Sequence, residues 1–204
     1  MLLVDLEGHG REELGEEVDV SRTVGWFTTM YPVRLELKAG SSSGTALKGI
    51  KEQLRGIPQR GMGYGLLRYV RGTEEEQQTL REASAAQVSF NYLGQVDQVL
   101  TERGAWAVAR ESSGQAHDPS GLRAHLLDIS GIIGGGSLQL TWVYSEAVHR
   151  RGTIEGLAQG YIEALQELIG HCQLAEAGGF TPSDFPLAKL DEKELDNVLQ
   201  TVEF

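Results

Sequence analysis

The sequence predicts an α/β (or α+β) lobe: one mixed β-sheet with helices packed on it. Three observations predict it. Short apolar or alternating runs, bounded by turn residues, recur along the chain, as at Met1–Leu6, Gln87–Leu93 and Leu138–Tyr144. Stretches of helical periodicity separate and follow them, the longest at Thr153–Cys172. Glycine is the third: 26 of 204 residues, about twice the ordinary share of ~7%. These glycines form short clusters between apolar segments (EGHG, GMGYG, GIIGGG, AGGF) rather than a linker repeat. That placement suits turns with positive φ and close approach of backbone to a ligand.

Met1–Leu6 reads as a buried strand that stops at Glu7, followed by an acidic loop in which Arg11 is the one base among Glu12, Glu13, Glu16, Glu17 and Asp19. Val24–Leu37 is aromatic and β-branched but contains Pro32. Proline removes a ladder donor, so this stretch is two strand pieces or an edge strand with a break. Ala46, Leu47, Ile50 and Leu54 have helical spacing, and Pro58 ends that helix. Gly61–Val70 is ambiguous. Thr73-x-x-Glu76 is a capping box opening a helix to about Ala83. Gln87–Leu93 alternates as a strand. Leu122–Ile133 and Leu138–Tyr144 form a hairpin about Gly134-Gly135-Gly136. In the helix Thr153–Cys172, one face holds Ile154, Leu157, Tyr161, Leu165, Leu168 and Cys172. From Ser183 to Phe204 six acids face two lysines, and Asp191-x-x-Glu194 is placed to cap a terminal helix. Residues 1–180 are therefore expected to form the lobe and 181–204 an acidic tail or interdomain linker.

Composition narrows the function. Apolar residues at 40% and charged residues at 23% exclude wholesale disorder. A net charge of −11 argues against nucleic acid or an anionic membrane as partner. No run approaches the roughly 18 apolar residues of a membrane span. The start, MLLVDLEGHGREEL, lacks the basic region of a signal peptide. Cys172 stands alone, which excludes an internal disulfide or a thiolate metal cluster. The five histidines, His9, His117, His125, His149 and His171, lack the paired spacing of a zinc site. The expectation is a reduced, cytoplasmic protein without a metal.

Two segments are candidate sites. Glu7-Gly8-His9-Gly10-Arg11-Glu12 follows a strand end, where α/β sheets place ligand sites. Glu7 is there either a general acid or base or the partner of Arg11 in a structural ion pair that pins the loop. Asn91 and Tyr92, in Phe90-Asn91-Tyr92-Leu93-Gly94, point to opposite faces of a strand, so one of them can face a cleft while the other enters the core. Two residues separate His125 from Asp128, so strand alternation sets them on opposite faces and no dyad is expected.

EGHGRE (7–12), RTVGWFTTMYPVRL (22–35), PQRGMGYG (58–65) and FNYLGQ (90–95) occur in that order. Together they resemble the second half of an epimerization domain of a nonribosomal peptide synthetase, in the condensation-domain superfamily. GGFTPSDFP (178–186) resembles the stretch that closes such domains, and the likeness runs from Met1 to about Leu190. Condensation domains share the fold, but they carry an FVNT-type segment where GWFTTMYP stands here, and an HQD-type segment downstream. The resemblance implies a chloramphenicol-acetyltransferase-like fold of two lobes with the site between them, of which this chain is the C-terminal lobe only. It implies an isomerase acting in antibiotic-type peptide biosynthesis: L-to-D inversion of a residue that a peptidyl carrier domain presents on phosphopantetheine, with no cofactor bound by the lobe itself. It places the catalytic glutamate on Glu7 and active-site residues on Asn91 and Tyr92. His9, Arg11, Gly63 and Tyr64 fall to substrate binding or loop shaping. The family's histidine motif, HHxxxDG, has no counterpart in this sequence, so the chain alone is expected to be inactive. A missing N-terminal lobe is expected to leave an apolar face through which the chain self-associates. The alternatives are an amide-forming condensation-type lobe and a non-catalytic scaffold that binds a carrier domain.

Overall fold

The structure is a computed structural model that describes residues 1–9, 11, 18–97, 111, 112, 114, 118, 120–174 and 177–201. Five strands make one mixed sheet: β1 (Leu2–Gly8), β2 (Thr29–Leu35), β3 (Val88–Gln95), β4 (Leu127–Gly134) and β5 (Ser137–Tyr144), in the order β2-β1-β3-β4-β5. The three central strands run parallel, and β2 and β5 flank them antiparallel. β1 extends past Leu6 to Gly8, because its partner β2 carries the ladder through Glu7↔Met30 and Gly8↔Thr29. β2 is an unbroken edge strand with Pro32 inside it, opposite Asp5. An edge strand has one side without a neighbour, so the missing N–H of proline breaks no rung. β4 begins at Leu127, five residues later than the alternation suggests. The β4–β5 turn is made by Gly135 and Gly136, both with positive φ (61° and 71°), a conformation that side chains resist.

Helix α1 (Ser43–Arg55) is capped by the Ser42 hydroxyl, which accepts from the Thr45 amide. The ambiguous 61–70 segment is helical: α2 (Met62–Leu66) passes into a π-turn over Leu67–Arg71. α3 (Glu74–Glu82) opens on the Thr73/Glu76 capping box. α4 (Arg151–Cys172) is rotated from the sequence expectation: Ile154 is buried, Tyr161, Leu165 and Leu168 are half-buried, and Leu157 (53% exposed) and Cys172 lie in solvent. Pairing with Trp142 through an edge-on ring contact at 5.8 Å fixes that rotation. α5 (Glu192–Thr201) starts with the Asp191/Glu194 amides and carboxylates capping one another, and buries Leu195. None of the described helices is long and apolar enough to cross a membrane.

The two faces of the sheet differ in chemistry, and period-2 alternation sorts them. On one, Leu127 and Ile129 meet Ile154 of α4, with Val88, Phe90, Trp142 and Tyr144 around them. The other face carries Asp5, Glu7, Ser89, Asn91, Asp128 and Ser130, all half-buried, and the exposed Thr141. The three central strands are thus polar on this face, and Met30 (42% exposed) and Val143 (45%) of the flanking strands add apolar surface at its margins. The most exposed apolar side chains, Val24, Trp26 (90%), Leu122 and Leu187, belong to connections.

Residues 181–184 are tied to α1. Thr181 and Asp184 close a one-turn capping box, and Asp184 takes Lys51 Nζ at 2.6 Å and Arg55 Nη1 at 2.5 Å. Those two cations, with the Thr181 amide, hold the Asp184 carboxyl well below the usual carboxylate range.

Candidate functional site

Glu7 sits beyond the last rung that joins β1 to β3, which is Leu6↔Phe90. The residue after Phe90 is Asn91, midway along β3, so its side chain and that of Glu7, near the carboxyl end of β1, emerge on the same face of adjacent parallel strands. Open α/β sheets bind ligands at the carboxyl ends of their strands. Asn91 Nδ2 donates to Glu7 Oε2 at 2.5 Å across the gap. The other atom of that amide, Oδ1, is buried without a partner. Buried acceptors of this kind are rare in folded proteins, and this one lies beside the site's carboxylate.

Arg11 does not pair with Glu7. Its guanidinium donates to the Val20 and Thr23 carbonyls at 2.5 and 2.9 Å, and lies over the Phe27 ring at 4.5 Å. It ties down the connection between β1 and β2. Among the described residues Glu7 has no ion pair, so its carboxylate is held by an amide rather than neutralised by a cation. His9 Nε2–H donates to the Tyr92 carbonyl at 2.8 Å, closing the loop after β1 onto β3.

The Tyr92 side chain is on the other face of the sheet from Glu7 and Asn91, beside Gly131, where a Cβ would lie 3.5 Å from the Tyr92 ring. Tyr92 is 42% exposed. Gly63 and Tyr64 are in α2, where the Tyr64 hydroxyl accepts from Arg68 Nη1 at 2.6 Å. No hydrogen bond joins either to Glu7 or Asn91 among the described residues. The turn before them does reach the site. Gln59, Arg60 and Gly61 are successively left-handed (φ 47°, 50° and 81°), and the Arg60 carbonyl lies 3.8 Å from where a Cβ on Gly8 would stand. A Cβ on Gly61 would fall 2.2 Å from the Tyr31 ring, so only glycine fits there.

A second polar group lies two residues upstream on the same open face. His125 precedes β4, is buried, and turns its ring back over the sheet: Nε2 is 2.7 Å from Asp5 Oδ2 and Nδ1 is 3.3 Å from Asp128 Oδ1. Alternation does not apply to His125, because it lies outside the strand. That overturns the expectation that His125 and Asp128 point apart. Arg123 Nη2 and Ser89 Oγ each donate to Asp128 at 2.5 Å. The sequence held a signal for this row. Asp5-x-Glu7, Ser89-x-Asn91 and Asp128-x-Ser130 repeat one polar-x-polar pattern in the three central strands.

A family model described as "Condensation domain" matches residues 1–190. A linear gramicidin synthase polypeptide of Brevibacillus parabrevis is 50% identical over 196 residues, 96% of this chain and 2% of that protein. Chondramide synthase of Chondromyces crocatus is 45% identical over 201 residues, 98% of this chain and 5% of that protein. Among solved structures, the epimerization domain from the third module of tyrocidine synthetase B superposes with a TM-score of 0.73 at 38% identity. That match covers 84% of this chain and 37% of the solved one. The chain thus spans a small fraction of the synthases it resembles and about a third of the solved epimerization domain.

Proposed function

The chain belongs to the condensation-domain family, and on that premise we propose that it forms one wall of a peptidyl- or aminoacyl-thioester epimerase, inverting L to D at the Cα of a residue presented by a carrier domain on phosphopantetheine. The observation that carries the proposal is the Glu7 carboxylate. It stands on the open polar face at a parallel-strand end, oriented by Asn91 through one oxygen and uncompensated by a cation among the described residues. The likeness to a solved epimerization domain supports the reading.

The chemistry needs a proton to leave one face of the α-carbon and return on the other. Two groups able to exchange protons must flank that carbon. Glu7 takes one side. The bond from Asn91 fixes Oε2 and leaves Oε1 for the substrate, so the carboxylate meets the α-carbon in one orientation rather than many. The second group comes from a lobe carrying the histidine motif. Tyr92 contributes through its carbonyl, which anchors His9, more directly than through its ring.

The test supplies that lobe in trans. The chain, the lobe, or both are incubated with an L-aminoacyl carrier thioester, and the released amino acid is resolved by chiral chromatography. D product with both proteins, and with neither alone, is the expected outcome. An amide product formed on addition of a second aminoacyl carrier would replace the proposal with condensation. Carrier binding without either product would leave a scaffold.

A further inference from the structure

Glu7 is poorly held by its own strand. The β1–β3 ladder has three rungs, Val4↔Val88, Asp5↔Ser89 and Leu6↔Phe90, and ends before Glu7. From Glu7 onward the backbone is paired only to the edge strand β2. Gly8 follows, the residue type with the most backbone freedom. Yet the bond to Asn91 requires β1 and β3 to keep their spacing beyond the ladder.

Two contacts bracket that unsupported stretch, one two residues before Glu7 and one two residues after. Before it, Asp5 accepts from buried His125, whose other nitrogen faces Asp128 on β4. Ser89 and Arg123 fix Asp128 in turn, and Arg123 also donates to the Val143 carbonyl on β5 at 2.8 Å. This brace therefore spans β1, β3, β4 and β5 on the face where Glu7 stands. After it, His9 donates to the Tyr92 carbonyl on β3.

We propose that His125 is a positioning residue for Glu7: through Asp5 it holds the end of β1 against β3, so that Glu7 stays in hydrogen-bonding register with Asn91. His125 touches no reacting atom in this scheme. It rests on the reading of Glu7 as the proton-exchanging group only for its effect on turnover. The geometric claim stands apart from that reading and is tested apart from it.

The first measurement uses this chain labelled with nitrogen-15 and follows solvent exchange of the Asn91 side-chain amide protons, with thermal midpoints recorded in parallel. His125→Gln removes the ring that joins the two carboxylates. The expected result is exchange faster by about tenfold, the factor that one hydrogen bond of ordinary strength is worth. Arg151→Ala, which breaks a surface pair with Glu155 on α4, is expected to leave that exchange unchanged. If His125→Gln does not fold, Asp5→Asn, which weakens the same contact, is read by the same criterion. Unchanged Asn91 exchange in a folded variant overturns the proposal, as does an equal rise in Arg151→Ala. The second measurement adds the N-terminal lobe and the carrier substrate. His125→Gln is expected to lower kcat by about 10- to 100-fold, the cost of a reacting group displaced by ~1 Å, with KM for the carrier unchanged. An unchanged kcat overturns the positioning role. Absence of D product from the wild type would defeat the epimerase reading instead, and the exchange measurement would still decide the role of His125.

Discussion

Replacing Glu7 with glutamine separates chemistry from structure at this site. Glutamine keeps the length and volume of the side chain, and its carbonyl oxygen can still accept from Asn91 Nδ2, the partner that Glu7 uses. The exchange turns a charge-assisted hydrogen bond into a neutral one, a loss of about 1 kcal/mol. No buried cation is stranded, because Arg11 bonds to Val20 and Thr23 rather than to Glu7. Folding should therefore be nearly unaffected. The amide cannot exchange a proton at neutral pH, and loss of a positioned acid or base costs about 10²- to 10⁴-fold in rate. At ~1.36 kcal/mol per decade that is roughly 3–5 kcal/mol on the barrier, several times the structural cost. The assay is turnover to D product per folded, carrier-binding molecule in the two-lobe system, with a denaturant titration of the same preparation. Turnover within threefold of wild type would refute a proton-exchanging Glu7. Turnover falling only in step with the folded fraction would refute it equally and return Glu7 to a structural role.

Ile154→Ala should destabilise the fold by about 2–4 kcal/mol, since Ile154 is 4% exposed against Leu127 and Ile129. Leu157→Ala, at 53% exposure, should stay within ~0.5 kcal/mol; urea midpoints compare them. Gly61→Ala should lower stability by more than about 2 kcal/mol, because the residue has φ 81° and its new Cβ would strike the Tyr31 ring; a thermal midpoint near wild type would contradict that geometry. Asp184 is held below its ordinary value of 3.8 by Lys51 and Arg55, so the unfolded chain binds its proton first. Its contribution is full above that value and is lost as pH falls through it toward the lower folded value. Urea titrations from pH 6 to pH 3 should show wild type losing more stability than Asp184→Asn, with the gap between them constant above about pH 5.

What the sequence alone determined is what local chemistry controls. The capping box at Thr73 and Glu76, the glycine turn between β4 and β5, and the strand ending near Glu7 follow from residue type and spacing, because each is decided within a few residues. The motif order also placed a catalytic glutamate on Glu7 and active-site residues on Asn91 and Tyr92, and the alternation rule set those last two on opposite faces. The rest was decided by packing across long separations. Which of those two residues meets Glu7 depends on the register Leu6↔Phe90, a pairing between distant parts of the chain that no local pattern encodes. The face that α4 buries was set by Trp142 and the β4 core, not by the helix's own apolar count, so Leu157 and Cys172 lie outside. His125 was misread for a related reason. The rule that sent it away from Asp128 holds inside a strand, and His125 lies before one. Its ring could be placed only once Asp5, 120 residues away in sequence, had been brought beside it by the parallel pairing of β1, β3 and β4.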